Sequence, residues 1–337
     1  MISSQLPRGK IDPDILHRFL SRYVRGGDRV LIGAAVGEDA AVIDMGEYCL
    51  IVKTDPITHV TGGIGHYAVN VNANDIAAMG GVPRWFLATI LLPPSAGPGD
   101  AETIFAQISE SCNDIGVAYC GGHTEVTGSV SNPLVIGQMI GEASRADLKP
   151  TSGARPGDEL IMTKRAAIEA TAIIALEKEE ELRGRLPEEL LSKARNYLND
   201  PGISVLKEAA LVRPLDGVHA LHDPTEGGIA TGVFEMATAS RLGVRLHNER
   251  ISIAEETRLL CEIYGVDPLG AFASGSLLIA VSPSGAGEVL RVLKTSGIEA
   301  SSVGAMTPEQ EGMKLVRDSR PLPLPVYGQD ELSRIFG

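Results

Sequence analysis

The chain has 337 residues, with 30 basic against 43 acidic side chains and a formal net charge of −13. That acidity, with aromatic residues at 4% and one Trp, excludes a general nucleic-acid binder and a surface built on base stacking. A hydrophobic fraction of 44% excludes bulk disorder, and the length predicts two domains. Glycine is the outlier at 38 residues, so many backbone positions are expected to need positive φ or close approach to another group. Cys49, Cys112, Cys120 and Cys261 form no C-x-x-C pair and read as reduced, mostly buried residues of a cytoplasmic protein. The opening MISSQLPRGKIDPD has no apolar h-region, and no run of about 18 apolar residues follows, so neither a signal peptide nor a membrane span is expected.

Asp12-Pro13 predicts an N-cap and N1 proline for a helix carrying Ile15, Leu16, Phe19, Leu20 and Tyr23, closed by Gly26-Gly27. Strands are expected at Ala40–Asp44 and Tyr48–Lys53, around a Gly46-Glu47 turn. A helix over 64–79 stops at Gly80-Gly81 and Pro83, and Trp85–Leu92 is a strand. Asp100 caps the next helix, and strands follow at Val117–Cys120 and Leu134–Gly141. The polar RADLKPTSGARPGD stretch near 145–157 marks the domain boundary, giving domains 1–150 and 151–337. Beyond it come a strand at Glu159–Thr163, a long helical stretch over 166–212 and a strand at Val218–Leu221. A helix from Glu226, a strand at Leu277–Val281, a helix at 286–295 and a strand near 299–305 complete the pattern. Both halves mix helices with strands, which is an α/β or α+β class.

No P-loop, Rossmann, G-x-S-x-G or H-E-x-x-H signature occurs. Five segments carry chemistry instead. Gly37-Glu38-Asp39 places two carboxylates beside small residues at the mouth of a strand, fit for a hard divalent cation or for a solvated turn. Asp55 ends an apolar strand before Pro56, as a metal ligand or a turn residue. The 64–79 helix contains Asn70, Asn72, Asn74 and Asp75, poor helix-interior residues whose presence points to a site. Asn70 and Asn74 share a face, with Asp75 beside them, for a metal or a phosphate-bearing ligand; a buried amide ladder is the other reading. Gly121-Gly122-His123-Thr124-Glu125 suits a backbone nest for an anion, with His123 or Glu125 as metal ligand or base. His222-Asp223-Pro224-Thr225-Glu226-Gly227-Gly228 runs from a strand into a helix whose first N–H groups suit a phosphate, with Asp223 or Thr225 equally able to act as an N-cap. His59 and His66 flank a Gly-rich loop and stay open as candidates.

Taken in order, these segments resemble the AIR synthase-like (PurM-like) superfamily, which includes AIR synthase, selenophosphate synthetase, thiamine-monophosphate kinase and the HypE family. G-E-D-A-A resembles its G-D-D-A-A, and K-T-D its T-T-D. A-V-N-V-N-A-N-D-I-A-A-M-G-G-V-P resembles its A-V-N-…-N-D-L-A-x-M-G-A-x-P, and G-G-H-T its G-G-D-T. A-R-P-G-D, H-D-P-T-E-G-G and A-S-G-S-L-L-I-A-V look most like HypE, whose counterpart of the second reads R-D-P-T-R-G-G.

The resemblance implies a two-domain fold: an N-terminal α/β domain forming a β-barrel at a homodimer interface, and a C-terminal α+β domain. It implies ATP and Mg²⁺ as cofactors, with Glu38, Asp39, Asp55 and Asp75 as the metal set. Gly37, Asn70, Asn74, Gly121, Gly122, Thr225, Gly227 and Gly228 would hold the nucleotide, and His123, Glu125 and Asp223 would be catalytic. It implies activation of an amide or carbonyl oxygen on a small or protein-borne acceptor, and a maturation partner protein; a thiamine-monophosphate-kinase-like phosphotransferase and a non-catalytic nucleotide-binding partner are the alternatives. Three positions depart from HypE. Phe336 stands where its tail has cysteine, His123 replaces the acid of G-G-D-T, and Lys164-Arg165-Ala166-Ala167 stands near its G-D-H-G loop.

Overall fold

The computed structural model describes residues 9–58 and 62–336. The chain runs α1 (Pro13–Tyr23), β1 (Val30–Ile32), β2 (Ala41–Asp44), β3 (Cys49–Ile57), α2 (Ile64–Ala78), β4 (Val82–Leu92), α3 (Pro98–Asp114), β5 (Ala118–Val126) and β6 (Leu134–Ala143). It continues with β7 (Glu159–Thr163), α4 (Ile168–Glu177), α5 (Glu179–Leu182), α6 (Glu188–Arg195), α7 (Leu206–Val212), β8 (Val218–His222), α8 (Gly228–Ser240), β9 (Gly243–His247) and α9 (Glu255–Tyr264). β10 (Leu278–Val281), α10 (Pro283–Thr295), β11 (Ala300–Thr307), β12 (Met313–Arg317), β13 (Arg320–Pro323) and α11 (Ser333–Phe336) complete it.

Two compact units emerge. One holds Gly26–Gly33 and Asp39–Leu148, and the other holds α1, Ala34–Glu38 and everything from Lys149 onward. The first is a six-stranded sheet in the order β1-β2-β3-β6-β4-β5, with α2 against β3, β4 and β6 and against α3. Every residue of α2 except His66 is buried, so its polar residues face protein all round. The helix can sit this low because β6 carries glycine beneath it. A Cβ at Gly137 would stand 2.4 Å from Asn72 Nδ2, and one at Gly141 would stand 2.2 Å from Ile76.

The second unit is a seven-stranded sheet in the order β13-β12-β9-β11-β7-β10-β8, antiparallel except for β9 with β12. Its core joins Leu160 and Met162 of β7 to Ile229, Val233 and Met236 of α8, with Leu278, Met306 and Leu324. Both units mix helix and strand, as the α/β and α+β reading expects.

Three expectations are corrected. The stretch 166–212 is four helices, because Gly184, Pro187, Pro201 and Gly202 interrupt it. The strand expected to end at Cys120 runs on through the diglycine to Val126, parallel to β4. The helix expected from Glu226 begins at Gly228, with Gly227 in the left-handed region as its N-cap. Cys49, Cys112 and Cys261 are buried and Cys120 is exposed, all of them free thiols.

Candidate functional site

β3 points Lys53 and Asp55 to the same face, two residues apart, and α2 brings Asp75 to meet them. Lys53 Nζ lies 3.0 Å from Asp75 Oδ1 and 3.7 Å from Asp55 Oδ2. Asp39, just before β2, and Asp75 are both buried, and Asp75 Oδ2 has no hydrogen-bond partner. Burial pushes the Asp75 carboxyl above the ordinary carboxylate range; Lys53 pulls it down, while Asp55 and Asp39 push it further up. Burial works against the Lys53 ammonium, yet Asp75, Asp55 and Asp39 outweigh it and hold that lysine charged. Both directions have one origin: the Asp75, Asp55 and Asp39 carboxylates crowd round Lys53, and Asp75 Oδ2 is left buried without a hydrogen-bond partner. Hard oxygen donors so gathered suit a divalent ion of the Mg²⁺ class, so the donor set fits the metal that the resemblance implies. Lys53 is the member that the sequence reading left out of its site.

The asparagines divide. Asn72 Nδ2 donates to Ala68 O at 2.9 Å and to Asp55 O at 3.3 Å, tying α2 to β3 beneath the acids. Asn70 Nδ2 donates back to His66 O at 3.0 Å, and His66 Nδ1 lies 3.3 Å from Ser111 Oγ. Asn70 is thus engaged within α2, while Asn74 is fully buried on the helix beside Asp75. His59 lies outside the described residues.

Glu38 has a different task from Asp39. Its two carboxylate oxygens accept from Ser152 N at 3.1 Å and Thr151 N at 3.2 Å, capping a short 3-10 turn in its own unit. Gly37, at φ +88°, passes so close to α8 that a Cβ would stand 2.6 Å from Glu235 O.

The glycine loop before α8 also differs from expectation. Gly227 N donates to Asp330 Oδ2 at 2.9 Å, and Gly228 N donates to Thr225 O at 3.1 Å. The chain's own carboxylate thus occupies the seat expected for a phosphate. A Cβ at Gly228 would stand 2.3 Å from Leu269 O, so this glycine permits close packing rather than leaving bare backbone. Neither Asp223 nor Thr225 caps α8 through its side chain. Asp223 is buried at the end of β8, beside His222. His222 Nε2 lies 3.2 Å from Glu235 Oε2, and Lys10 Nζ lies 2.9 Å from Glu235 Oε1. Burial raises the Glu235 pKa, but Lys10 and His222 outweigh it and hold this carboxyl at about 2.

Gly121 and Gly122 form no nest; they lie within β5, opposite Leu87 and Ala88. A Cβ at Gly122 would stand 1.9 Å from Ala88 O, which explains the glycine there. His123 and Glu125 project from this exposed strand, with His123 Nε2 3.2 Å from Glu125 Oε2. Lys164 Nζ donates to Ser204 O at 2.6 Å and pairs with Glu208 at 2.8 Å, so this cation is consumed locally. Phe336 is exposed, with Lys178 Nζ 5.3 Å from its ring centroid.

The sequence reading also missed Glu169 and Asp330. Glu169 is buried with Oε2 unpartnered, and burial pushes its carboxyl up to about 7 against hydrogen bonds from Ser274. No short-range signal marks either residue; Glu169 meets Ser274 and Asp330 meets Gly227 through contacts distant in sequence.

Two α/β units, the acid set at the end of β3 and the glycine-rich entry to α8 define the class. Residues 37–143 match the AIR synthase related protein N-terminal domain and residues 155–315 match its C-terminal domain, so the chain belongs to the AIR synthase related family. Within it, the chain is 28% identical over 298 residues to a putative hydrogenase expression/formation protein of Methanocaldococcus jannaschii, covering 86% of this chain and 84% of that one. It is 27% identical to the carbamoyl dehydratase HypE of Escherichia coli, covering 88% and 81%. The crystal structure of the hydrogenase maturation protein HypE in complex with ATP superposes with a TM-score of 0.72 at 23% identity, covering 95% of this chain and 96% of that one, a likeness of fold. Among the described residues no helix is long and apolar enough to cross a membrane.

Proposed function

We propose that this chain is an ATP-dependent enzyme of the HypE kind, working in the cytoplasm on the maturation of hydrogenase or a related metalloenzyme. It activates an amide or carbonyl oxygen of a small or protein-borne acceptor. The observation that carries the reading is the gathering of Asp39, Asp55 and Asp75 round Lys53, with the buried Asp75 Oδ2 lacking a hydrogen-bond partner. The names of the two relatives and the ATP complex of the structural neighbour support the nucleotide and the pathway.

In this reading the unit of Gly26–Gly33 and Asp39–Leu148, rather than the whole of 1–150, holds the nucleotide and metal, and the unit from Lys149 onward, with α1 and Ala34–Glu38, holds the acceptor. Asp39, Asp55 and Asp75 hold Mg²⁺, which when bound neutralises the charge of the transferring phosphoryl group. Lys53 keeps the acids together before the nucleotide arrives, and Asn72 and Asn74 stiffen the helix behind them. Asp223 serves the acceptor side. The exposed strand β5, with an unpaired edge and polar faces, is the surface for a second copy of the chain. A maturation partner protein supplies the acceptor. Because Phe336 has no thiol, the acceptor is not carried on that residue; transfer of phosphate to an added hydroxyl or phosphate acceptor would favour the thiamine-monophosphate-kinase-like alternative.

Calorimetry of ATP with Mg²⁺ tests the reading. Saturable, Mg²⁺-dependent binding that weakens at least tenfold in Asp75→Asn supports it. No binding to the wild-type chain, or equal binding to the variant, overturns it.

A further inference from the structure

The fold leaves α1 largely uncovered, although its sequence is that of a helix made to pack. Ile15, Leu16, Phe19, Leu20 and Tyr23 recur at helical spacing on one face, yet no residue of α1 is buried. Phe19 is 49% exposed, Tyr23 67% and the following Val24 46%. A helix of 11 residues is marginal alone in water, where most helical stability comes from packing an apolar face. Arg18, Arg22 and Arg25 flank that face on one side, with the Arg22 guanidinium 5.2 Å from the Tyr23 ring centroid. The complementary seat is apolar along its centre and acidic along one rim.

The outer face of α3 has that pattern. Ile104 and Ile108 turn inward and are buried, while Phe105, Ala106, Ser109, Glu110 and Asp114 are exposed. Phe105 stands beside Tyr119 of β5, with ring centroids 6.2 Å apart, and the small Ala106 and Ser109 leave room beside it for an aromatic ring. Glu110 and Asp114 are about 6 Å apart along the helix axis, the same step that separates Arg18 and Arg22 on α1. No Lys or Arg occurs between Arg84 and Arg145, so α3 and β5 supply no lysine or arginine to neutralise these acids.

We propose that α1 of one copy docks on the α3 face of a second copy of this chain, its arginines against Glu110 and Asp114 and its aromatic residues beside Phe105. A second copy is the occupant because this chain, with a net charge of −13, itself presents the acidic surface that its basic helix fits. Exposed ion pairs contribute little each, so apolar burial carries the affinity and the charges set the register. The seat adjoins β5, so the docking extends the surface proposed above for a second copy. It rests on that part of the reading alone and needs neither nucleotide nor metal.

Two cysteine variants of the full chain test it, both in a Cys120→Ser background because the other native thiols are buried. One carries Ile15→Cys on α1 and the other Ala106→Cys on α3, and a short bismaleimide is added to each alone and to their mixture. A covalent dimer is expected in the mixture and in neither protein alone. Arg18→Glu with Arg22→Glu in the α1 carrier should cut the yield about tenfold. Glu110→Lys with Asp114→Lys in the α3 carrier should then restore it, which also shows that both variants fold. Analytical ultracentrifugation of the wild-type chain reports whether copies associate. Association without the mixed cross-link overturns the docking and leaves the β5 surface standing; a monomer overturns both, and the Mg²⁺–ATP reading survives either result. A yield indifferent to the charge reversals overturns the arginine–carboxylate pairing. Cross-linking within one chain carrying both cysteines, undiminished by dilution, would put α1 on its own α3 and overturn the second copy.

Discussion

Two regions of this molecule look alike in sequence and differ in structure. The β3–α2 region and the loop before α8 both combine acids, small residues and an element terminus, and both read as ligand sites. In the first, Asp55 and Asp75 share one lysine, and Asp75 Oδ2 has no hydrogen-bond partner. In the second, the N–H groups of Gly227 and Gly228 are already taken by Asp330 and Thr225. The difference separates two meanings of an unusual local sequence. A buried carboxylate oxygen without a hydrogen-bond partner is evidence for something that binds; a glycine whose N–H is satisfied and whose missing Cβ is filled by a neighbour is evidence for packing.

Substitutions that unbalance one region and not the other sharpen this contrast. The largest effect is expected from Lys53→Met, which strands the buried Asp75 carboxylate. Its cost is about 3–5 kcal/mol of stability in metal-free solution. Added Mg²⁺ should recover part of that loss, measured as a rise in Tm. A variant as stable as wild type would mean that the acids are not held by Lys53.

Gly228→Ala comes next, at about 3 kcal/mol, because its Cβ meets Leu269 O at 2.3 Å and its φ is +69°. Mg²⁺ should restore nothing there, so denaturant unfolding with and without the ion separates the two regions.

Glu169→Gln is a pH-dependent case. The Glu169 carboxyl is raised to about 7 by burial, so the folded state keeps a proton that the unfolded chain has lost. Wild-type stability is therefore fullest below the ordinary glutamate value and falls as pH rises toward 7. The glutamine variant lacks that fall. It should gain up to about 3 kcal/mol on wild type at pH 8 and nothing at pH 4. Thermal melts across that range check the sign, and a gain that shrinks with rising pH would contradict it.

The smallest effect belongs to Glu38→Ala, at about 1–2 kcal/mol from the lost cap on Thr151 and Ser152. It should leave Mg²⁺-dependent nucleotide binding within twofold of wild type. A large loss of that binding would return Glu38 to the metal set beside Asp39.

Much of the fold was legible where one period or one punctuation mark dominates. Asp12-Pro13 marks the start of α1, and Asp12 Oδ1 does accept from Asp14 N and Ile15 N. The Asn/Asp run in α2 announced its own tension, and the structure resolves it by burying the helix on all sides. What stayed hidden depended on contacts distant in sequence. Gly121-Gly122 reads locally as a break, yet β4 lies so close that only glycine lets β5 continue. The three-residue strand β1 and the paired strands β12 and β13 carry too little pattern to stand out. Glu38 and Asp39, adjacent in sequence, fall in different compact units and do different work. Asp330 could not be linked to Gly227, 103 residues away, by any local rule.

We propose that the Asp75 carboxylate holds the nucleotide-bound metal. It is tested most directly by calorimetric titration of ATP into wild type and Asp75→Asn, each with and without Mg²⁺. Saturable binding that requires Mg²⁺ is expected in wild type, at least tenfold weaker in Asp75→Asn. Binding that is equal in the two proteins, or that does not depend on Mg²⁺, would contradict it.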